Sequence, residues 1–400
     1  MRAGSRAAAA GRYLGVALGA SIPVSTALDG VLFVLVLAAW AASGALREKL
    51  AALRANPAAL AALAFLGLLI LGVAWSPSAS EGWYFVGKHR DLVLVAVLGG
   101  LFFTARDKQL ALSAFLAAMA LTLVLSYAIW LGLSPLEGKY SRTADNPTVF
   151  KLHITHGILM SLAAFLAGIR ALRETRQRWR IAYGAAALLA AFNVLFMVQG
   201  RTGHVVLAAL LFYFCVAHWR WRGVAIAALA GAAVIAAAYL AQAPLIGRTA
   251  MAASEWREWS AGRGHETSTG LRMNYYNNTL AIIRDAPLIG VGTGGFVGAY
   301  SAKVRGTDLP ESNNPHSQYL LTAAQLGVAG LAALLAMFAL MWRQAARLEP
   351  HAALAARGLV LTIAVGCLLN SLLIDHAEGL LFAWMAGVLF APERAPGRAG

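Results

Sequence analysis

The chain has 400 residues, of which 60% are hydrophobic and 13% charged, with a mean hydropathy of +0.65. That balance excludes an ordinary soluble domain and a disordered chain. Apolar runs of about 17 to 25 residues recur from end to end, each long enough to cross ~30 Å of hydrocarbon as a helix, so the sequence encodes an all-α polytopic membrane protein. A net charge of +15, from 33 Lys+Arg against 18 Asp+Glu, first reports which side of the bilayer each connection occupies; no nucleic-acid partner is expected.

In chain order, the apolar runs predict about twelve spans, near 13–28, 30–45, 58–75, 91–105, 109–132, 152–170, 181–199, 203–219, 223–242, 316–342, 358–375 and 379–391. The first two share one 34-residue run interrupted by Pro23, Asp29 and Gly30, and the fourth and twelfth are short. The basic N-terminus, with Arg2, Arg6 and Arg12, leads into an uncleaved first helix. Cys215 and Cys367 fall inside apolar runs and read as small buried hydrophobes, with no disulfide framework.

The charges sort by alternate connections. One set holds Arg2, Arg6, Arg12, Arg47, Lys49, Arg54, Arg106, Lys108, the five arginines of 170–180, Arg220, Arg222, Arg343, Arg347, Arg357, Arg394 and Arg398, which is 20 of the 33 basic residues but only 5 of the 18 acidic ones. The positive-inside rule assigns that set, and both termini, to the cytoplasm. The chain therefore divides into nine N-terminal spans (1–242), a long outer segment (243–315) and three C-terminal spans (316–400).

A connection as long as 243–315 carries function or is disordered, and this one has helical content. Residues 254–263 interleave Trp256 and Trp259 with charges, as an interfacial amphipathic helix does. Residues 269–286 put Leu271, Tyr275, Leu280 and Ile283 near one face and end at Pro287, which predicts a second helix. The glycine-rich G-V-G-T-G-G at 290–295 follows a helix and a proline rather than a strand, so it is a turn leading back to the membrane and not a nucleotide loop.

Chemistry concentrates at the outer end. Asn314 is placed to cap the next helix, with Pro315 at its first position and His316 in its first turn. The positive helix end there favours a neutral imidazole, the form a general base needs. Arg201 lies in Q-G-R-T-G-H between two long spans, a position that an arginine takes where it faces an aqueous cavity or an anion, or where it snorkels to lipid headgroups. Arg272 and Arg284 lie on the predicted helix 269–286, and planar guanidinium groups bind phosphate bidentately. His153 and His156 have the spacing to share a helical face, but no third ligand is near and no metal is expected. Asp375 and Glu378 flank the last outer turn, either as solvated turn charges or as groups that orient a substrate or His316. No Asp-x-Asp pair occurs to hold a divalent cation against a departing diphosphate.

The residues resemble the O-antigen ligase family, relatives of the O-antigen polymerases. The family signature is His followed by Asn, Ser or Gln, nine residues, Gly, two residues, then Gly, Thr or Tyr; it is met by His316, Ser317, 318–326, Gly327 and Gly330. Arg201 in its R-x-G context, G-L-R-x-x-x-Y from 270, and D-A-P-L-I-G-V-G ending at 292 extend the likeness over about 199–330. The resemblance implies a GT-C-like glycosyltransferase architecture with one large structured periplasmic loop, in a multi-pass protein of the bacterial inner membrane whose active site faces the periplasm. It implies transfer of O-antigen polysaccharide from an undecaprenyl-diphosphate donor to the lipid A-core oligosaccharide, with His316 as general base and Arg201 and Arg272 clamping the diphosphate. Arg272 is preferred over Arg284 as the loop arginine, with Arg284, Asn314 and Ser317 as further substrate-binding residues. No cofactor and no metal are implied; membrane lipids are the other partners, and a monomer is expected. The alternatives are an O-antigen polymerase, a protein O-oligosaccharyltransferase and, in another class, a lipid-linked polysaccharide transporter.

Overall fold

A computed structural model describes residues 2–101, 103–133 and 143–392; Arg394 and Arg398, counted above among the basic connections, and the end of the C-terminal segment lie outside them. All regular structure among the described residues is helical, apart from one isolated bridge between Thr143 and Asn146. The first half comprises α1 (Arg2–Ser21), α2 (Thr26–Ala42), α3 (Leu46–Arg54), α4 (Pro57–Gly72), α5 (Ala79–Lys88), α6 (Val93–Gly99), α7 (Ala105–Trp130), α8 (His153–Arg173) and α9 (Gln177–Phe192). Then come α10 (Arg201–Trp219), α11 (Trp221–Leu240), α12 (Pro244–Ser260), α13 (Ser268–Asp285), α14 (Phe296–Val304), α15 (Gln318–Ala345), α16 (Pro350–Leu369) and α17 (His376–Leu389).

The protein is a multi-pass membrane protein. Eight helices among the described residues are long and apolar enough to cross a bilayer, or up to nine if α2 and α3, bent by 113°, form one broken span. The eight are α4, α7 to α11, α15 and α16. The other predicted spans fall on less regular structure. Residues 13–28 straddle a break, because α1 stops at Ser21 and α2 restarts behind the Ser25 cap. Residues 91–105 contain a helix of only 7 residues, α6, too short to cross alone, which packs against α4 and α17. The last run forms α17, 14 residues long, which is buried in the centre with its Trp384 indole donating to the Gly15 carbonyl at 2.6 Å.

Sequence signals mark several helix starts. Asn56 and Pro57 start α4, and Thr104 with Asp107 builds a capping box on α7. Helix α9 ends in a π turn, Asn193–Met197, in which buried Asn193 receives the His156 imidazole at 3.0 Å and donates to Ser126 at 2.8 Å. The π turn re-aims the chain just before Arg201.

The connection 243–315 holds three helices. The expected helix at 269–286 is α13, capped by Thr267, while the amphipathic segment is longer than predicted, α12, and begins at Pro244. Phe85, Ile282, Phe296, Tyr300 and Leu321 form a second apolar core that joins α5, α13, α14 and α15. Trp259 is not free to float on a lipid surface, since its indole donates to Asn274 on α13 at 2.9 Å; Trp256 remains exposed.

The glycine-rich turn packs deeper than a surface return. Its Val291 and Gly292 amides donate to the carbonyls of Ala324 and Gln325 on α15, both at 2.9 Å, and Thr293 donates to Gly72 and Leu69 at the end of α4. Helix α15 is broken at Gly327 (φ 62°, ψ −158°), and a side chain there would sit 2.3 Å from the backbone of Leu288. The break frees the two carbonyls that the turn occupies, so each defect satisfies the other.

Candidate active site

Helices α8, α10 and α15 all begin at the end of the bundle on which α12 and α13 lie. Their starts are tied together by polar contacts. Gly203 packs on Gly157 so closely that a Cβ at 203 would fall 2.8 Å from the Gly157 Cα, which presses the first turn of α10 onto α8. Ser161 donates to the carbonyls of both glycines. Thr202 then accepts from the Asn370 amide at 2.6 Å, and the Asn370 carbonyl accepts from Gln318 at 3.3 Å. One residue thus links the neighbour of Arg201 to the start of the histidine-bearing helix.

His316 itself is not in that helix. Ser317 caps α15 through the Leu320 amide, and His316 stands one residue earlier with φ 56°, in the left-handed region. A histidine held there costs of order 1 kcal/mol or more, and such strain concentrates at functional sites. Asn314 is therefore not the helix cap: its side-chain oxygen accepts the His316 amide at 2.8 Å and the Ser371 hydroxyl at 2.7 Å, fixing the turn. Ser317 is buried and also donates to the Cys367 carbonyl, so both residues position His316.

The imidazole packs against Tyr275 of α13, ring centroids 5.6 Å apart and tilted by 35°. Tyr276 donates to the His316 carbonyl at 3.5 Å. Burial lowers the His316 pKa from its ordinary value, and the nearby Arg272 guanidinium lowers it further. Burial and a neighbouring cation thus both favour the neutral imidazole.

Arg272 lies one turn before Tyr275 and Tyr276 on α13, so all three project toward the same region. Arg201, at the start of α10, is half-buried, donates to Thr269 at 3.4 Å and faces Glu255 of α12 at 3.9 Å. Glu255 also accepts from the Thr269 amide and hydroxyl. Arg201 feels Arg272 and Arg248, while His153 feels Arg248 and Arg272, so three guanidinium groups and two imidazoles share one electrostatic neighbourhood. Arg248 is held by a hydrogen bond to Gln199, two residues before Arg201. Three arginines thus gather around one carboxylate, which leaves the neighbourhood with an excess of positive charge.

Of the sequence candidates, the structure brings His316, Arg201 and Arg272 together. It does not bring in Arg284, which is exposed at the far end of α13, roughly 18 Å along the axis from Arg272. Glu378 is buried, takes a hydrogen bond from Thr155 and faces Lys151, so it is not a solvated turn charge; Asp375 is exposed, and neither carboxylate touches His316. His156 is spent on Asn193, whereas His153 borders the arginine cluster. Sequence reasoning passed over Arg248, Glu255, Thr269 and Tyr276. The spacing of Tyr276 four residues after Arg272, and of Glu255 seven after Arg248, was the available signal, since each pair shares a helical face.

Residues 185–335 match the O-antigen ligase family. The matched stretch contains Arg201, Arg248, Glu255, Arg272, Arg284, His316, Gly327 and Gly330. Comparison with curated proteins gives no match.

Proposed function

We propose that this chain, which carries an O-antigen ligase family domain, is a ligase that moves O-antigen polysaccharide from undecaprenyl diphosphate onto a terminal sugar of the lipid A core. The observation that carries the reading is the convergence of a neutral, strained His316 with Arg272 and Arg201 inside the matched stretch. His316 takes the proton from the acceptor hydroxyl as its oxygen forms a bond to the anomeric carbon. The bond from that carbon to the diphosphate oxygen breaks, its electron pair leaves with undecaprenyl diphosphate, and the configuration inverts. Arg201 and Arg272, with Arg248 beside them, take up the charge growing on the diphosphate, the task a divalent cation performs elsewhere. General-base help supplies about 10²–10⁴-fold, so the clamp and the positioning of two lipid-anchored substrates supply the larger part.

The site lies where helix starts meet the long outer segment, the level at which both lipid headgroups would present their sugars. The charge distribution assigns that end to the periplasm. The test is purified protein with an undecaprenyl-diphosphate-linked glycan and, in parallel, lipid A core, a second donor molecule or a pilin-like protein. Transfer to the core supports the ligase; transfer to a second donor makes the protein a polymerase, transfer to protein makes it an O-oligosaccharyltransferase, and movement of intact donor across a vesicle without transfer makes it a transporter.

A further inference from the structure

At the opposite end of the bundle two cavities adjoin. One, of about 150 Å³, is lined by Lys108, Arg170, Arg173 and His351, with Glu349 at its rim. The other, of about 200 Å³, is apolar, with its floor on α8 at Ala163 and Ala167 and its walls on α7 and α9. Leu116 borders both, so they lie side by side along α7. Helices α7 and α9 converge away from the basic cavity, where Tyr127 stacks on Phe192, Trp130 meets the same ring edge-on and the Tyr127 hydroxyl donates to the Leu189 carbonyl. Nearer the basic cavity, the apolar cavity separates them. The result is a wedge, closed by aromatic rings toward one leaflet and open toward the end that carries arginines 170–180, the end the charge distribution places in the cytoplasm.

We infer that this wedge binds an anionic phospholipid of the cytoplasmic leaflet, its phosphate against Arg170 and Arg173 and one acyl chain between α7 and α9. Charge complementarity selects the headgroup: the basic residues outnumber Glu349, and basic pockets between helices on the cytoplasmic side suit anionic headgroups. Arg170 is already oriented by donating to Gln109 and Ser113 on α7. The wall from Lys108 to Leu123 is roughly 22 Å long at 1.5 Å per residue, more than the ~15 Å half-thickness of the hydrocarbon core, so a chain has room to lie along it. Alanines 120 and 186 leave the volume that the chain fills. A lipid there would brace α7 and α9, and through the π turn after α9 the position of Arg201.

The inference does not depend on the catalytic reading and is tested without it. Delipidated protein is titrated with phosphatidylglycerol, phosphatidylethanolamine or inorganic phosphate, and lipid retention is read by native mass spectrometry together with the melting midpoint. Phosphatidylglycerol is expected to be retained and to raise the midpoint. Arg173→Gln is expected to weaken retention about fivefold, from ~1 kcal/mol per surface cation. Ala120→Phe with Ala186→Phe should abolish retention while the lipid-free protein melts no lower than wild type. Equal retention of phosphatidylethanolamine, an equal effect of inorganic phosphate, or undiminished retention in both variants would overturn the proposal.

Discussion

Replacing Gly327 by Ala tests why a glycine belongs eleven residues after the histidine. At φ 62° and ψ −158° the backbone lies in a region essentially reserved for glycine, and forcing alanine into it costs about 1–3 kcal/mol. The new Cβ would lie 2.3 Å from the carbonyl carbon and oxygen of Leu288, so the turn must retreat. Retreat endangers the bonds from Val291 to Ala324 and from Gly292 to Gln325 at 2.9 Å, and from Val328 to Pro287 at 2.8 Å. At about 0.5–1.5 kcal/mol each, these bring the total to roughly 3–7 kcal/mol. The assay is thermal unfolding of detergent-purified protein, with glycan transfer measured in parallel. We expect the midpoint to fall by at least about 5 °C, and activity to fall further because the turn joins α13 to the end of α4. Gly298, inside α14 with open space around its missing side chain, is the control: Gly298→Ala should be neutral or stabilising by about 0.5–1 kcal/mol. Wild-type stability in Gly327→Ala would refute the account of the break.

His316→Ala should lower transfer by about 10²–10⁴-fold while insertion and donor binding persist; full activity would remove the imidazole from the mechanism. Arg201→Lys should lose most activity although its charge is kept, because the bidentate fork is gone, and Arg272→Ala should do the same. Arg284→Ala should retain near wild-type activity, as measured by glycan transfer, since that side chain stands exposed and remote from the cluster; loss of turnover there would place the donor along the whole of α13. The pH–rate profile should follow the lowered pKa of His316. The base works when neutral, so activity is present above the folded-state pKa and disappears as pH falls through it, with the acid limb centred below the ordinary histidine value of about 6.5. An acid limb at pH 7 or higher would contradict the burial argument. Excess EDTA should leave the rate unchanged; a collapse reversed by Mg²⁺ would show that the arginines do not replace a metal ion.

Membrane class, most helices and the candidate site residues were legible in sequence because each rests on local signals. An apolar run of sufficient length must be helical, since hydrocarbon offers its backbone no partners, and caps such as Asn56 and Thr104 mark their own helix starts. His316, Arg201 and Arg272 stood out through residue type and position. What was misread depended on distant partners. The first turn expected around His316 gave way to a left-handed residue because Ser371, 57 positions away from Asn314, shares the Asn314 oxygen. The turn at 290–295 was legible as a turn, but not its depth of packing, because the carbonyls it occupies are freed by the break at Gly327.

The choice between Arg272 and Arg284 shows the division most clearly. Both lie on one predicted helix with the same side chain, and no local pattern separates them. Only the packing of α13 separates their surroundings, by putting Arg272 near His316 and leaving Arg284 exposed at the far end of the helix. The sequence by itself determined the membrane class, the chemistry of the candidate residues and the end of the bundle on which they gather, since these follow from composition and periodicity. The tertiary structure alone decided which of these arginines lies near the histidine and how deeply that histidine is buried, because proximity and burial belong to pairs of elements and not to any one stretch of chain.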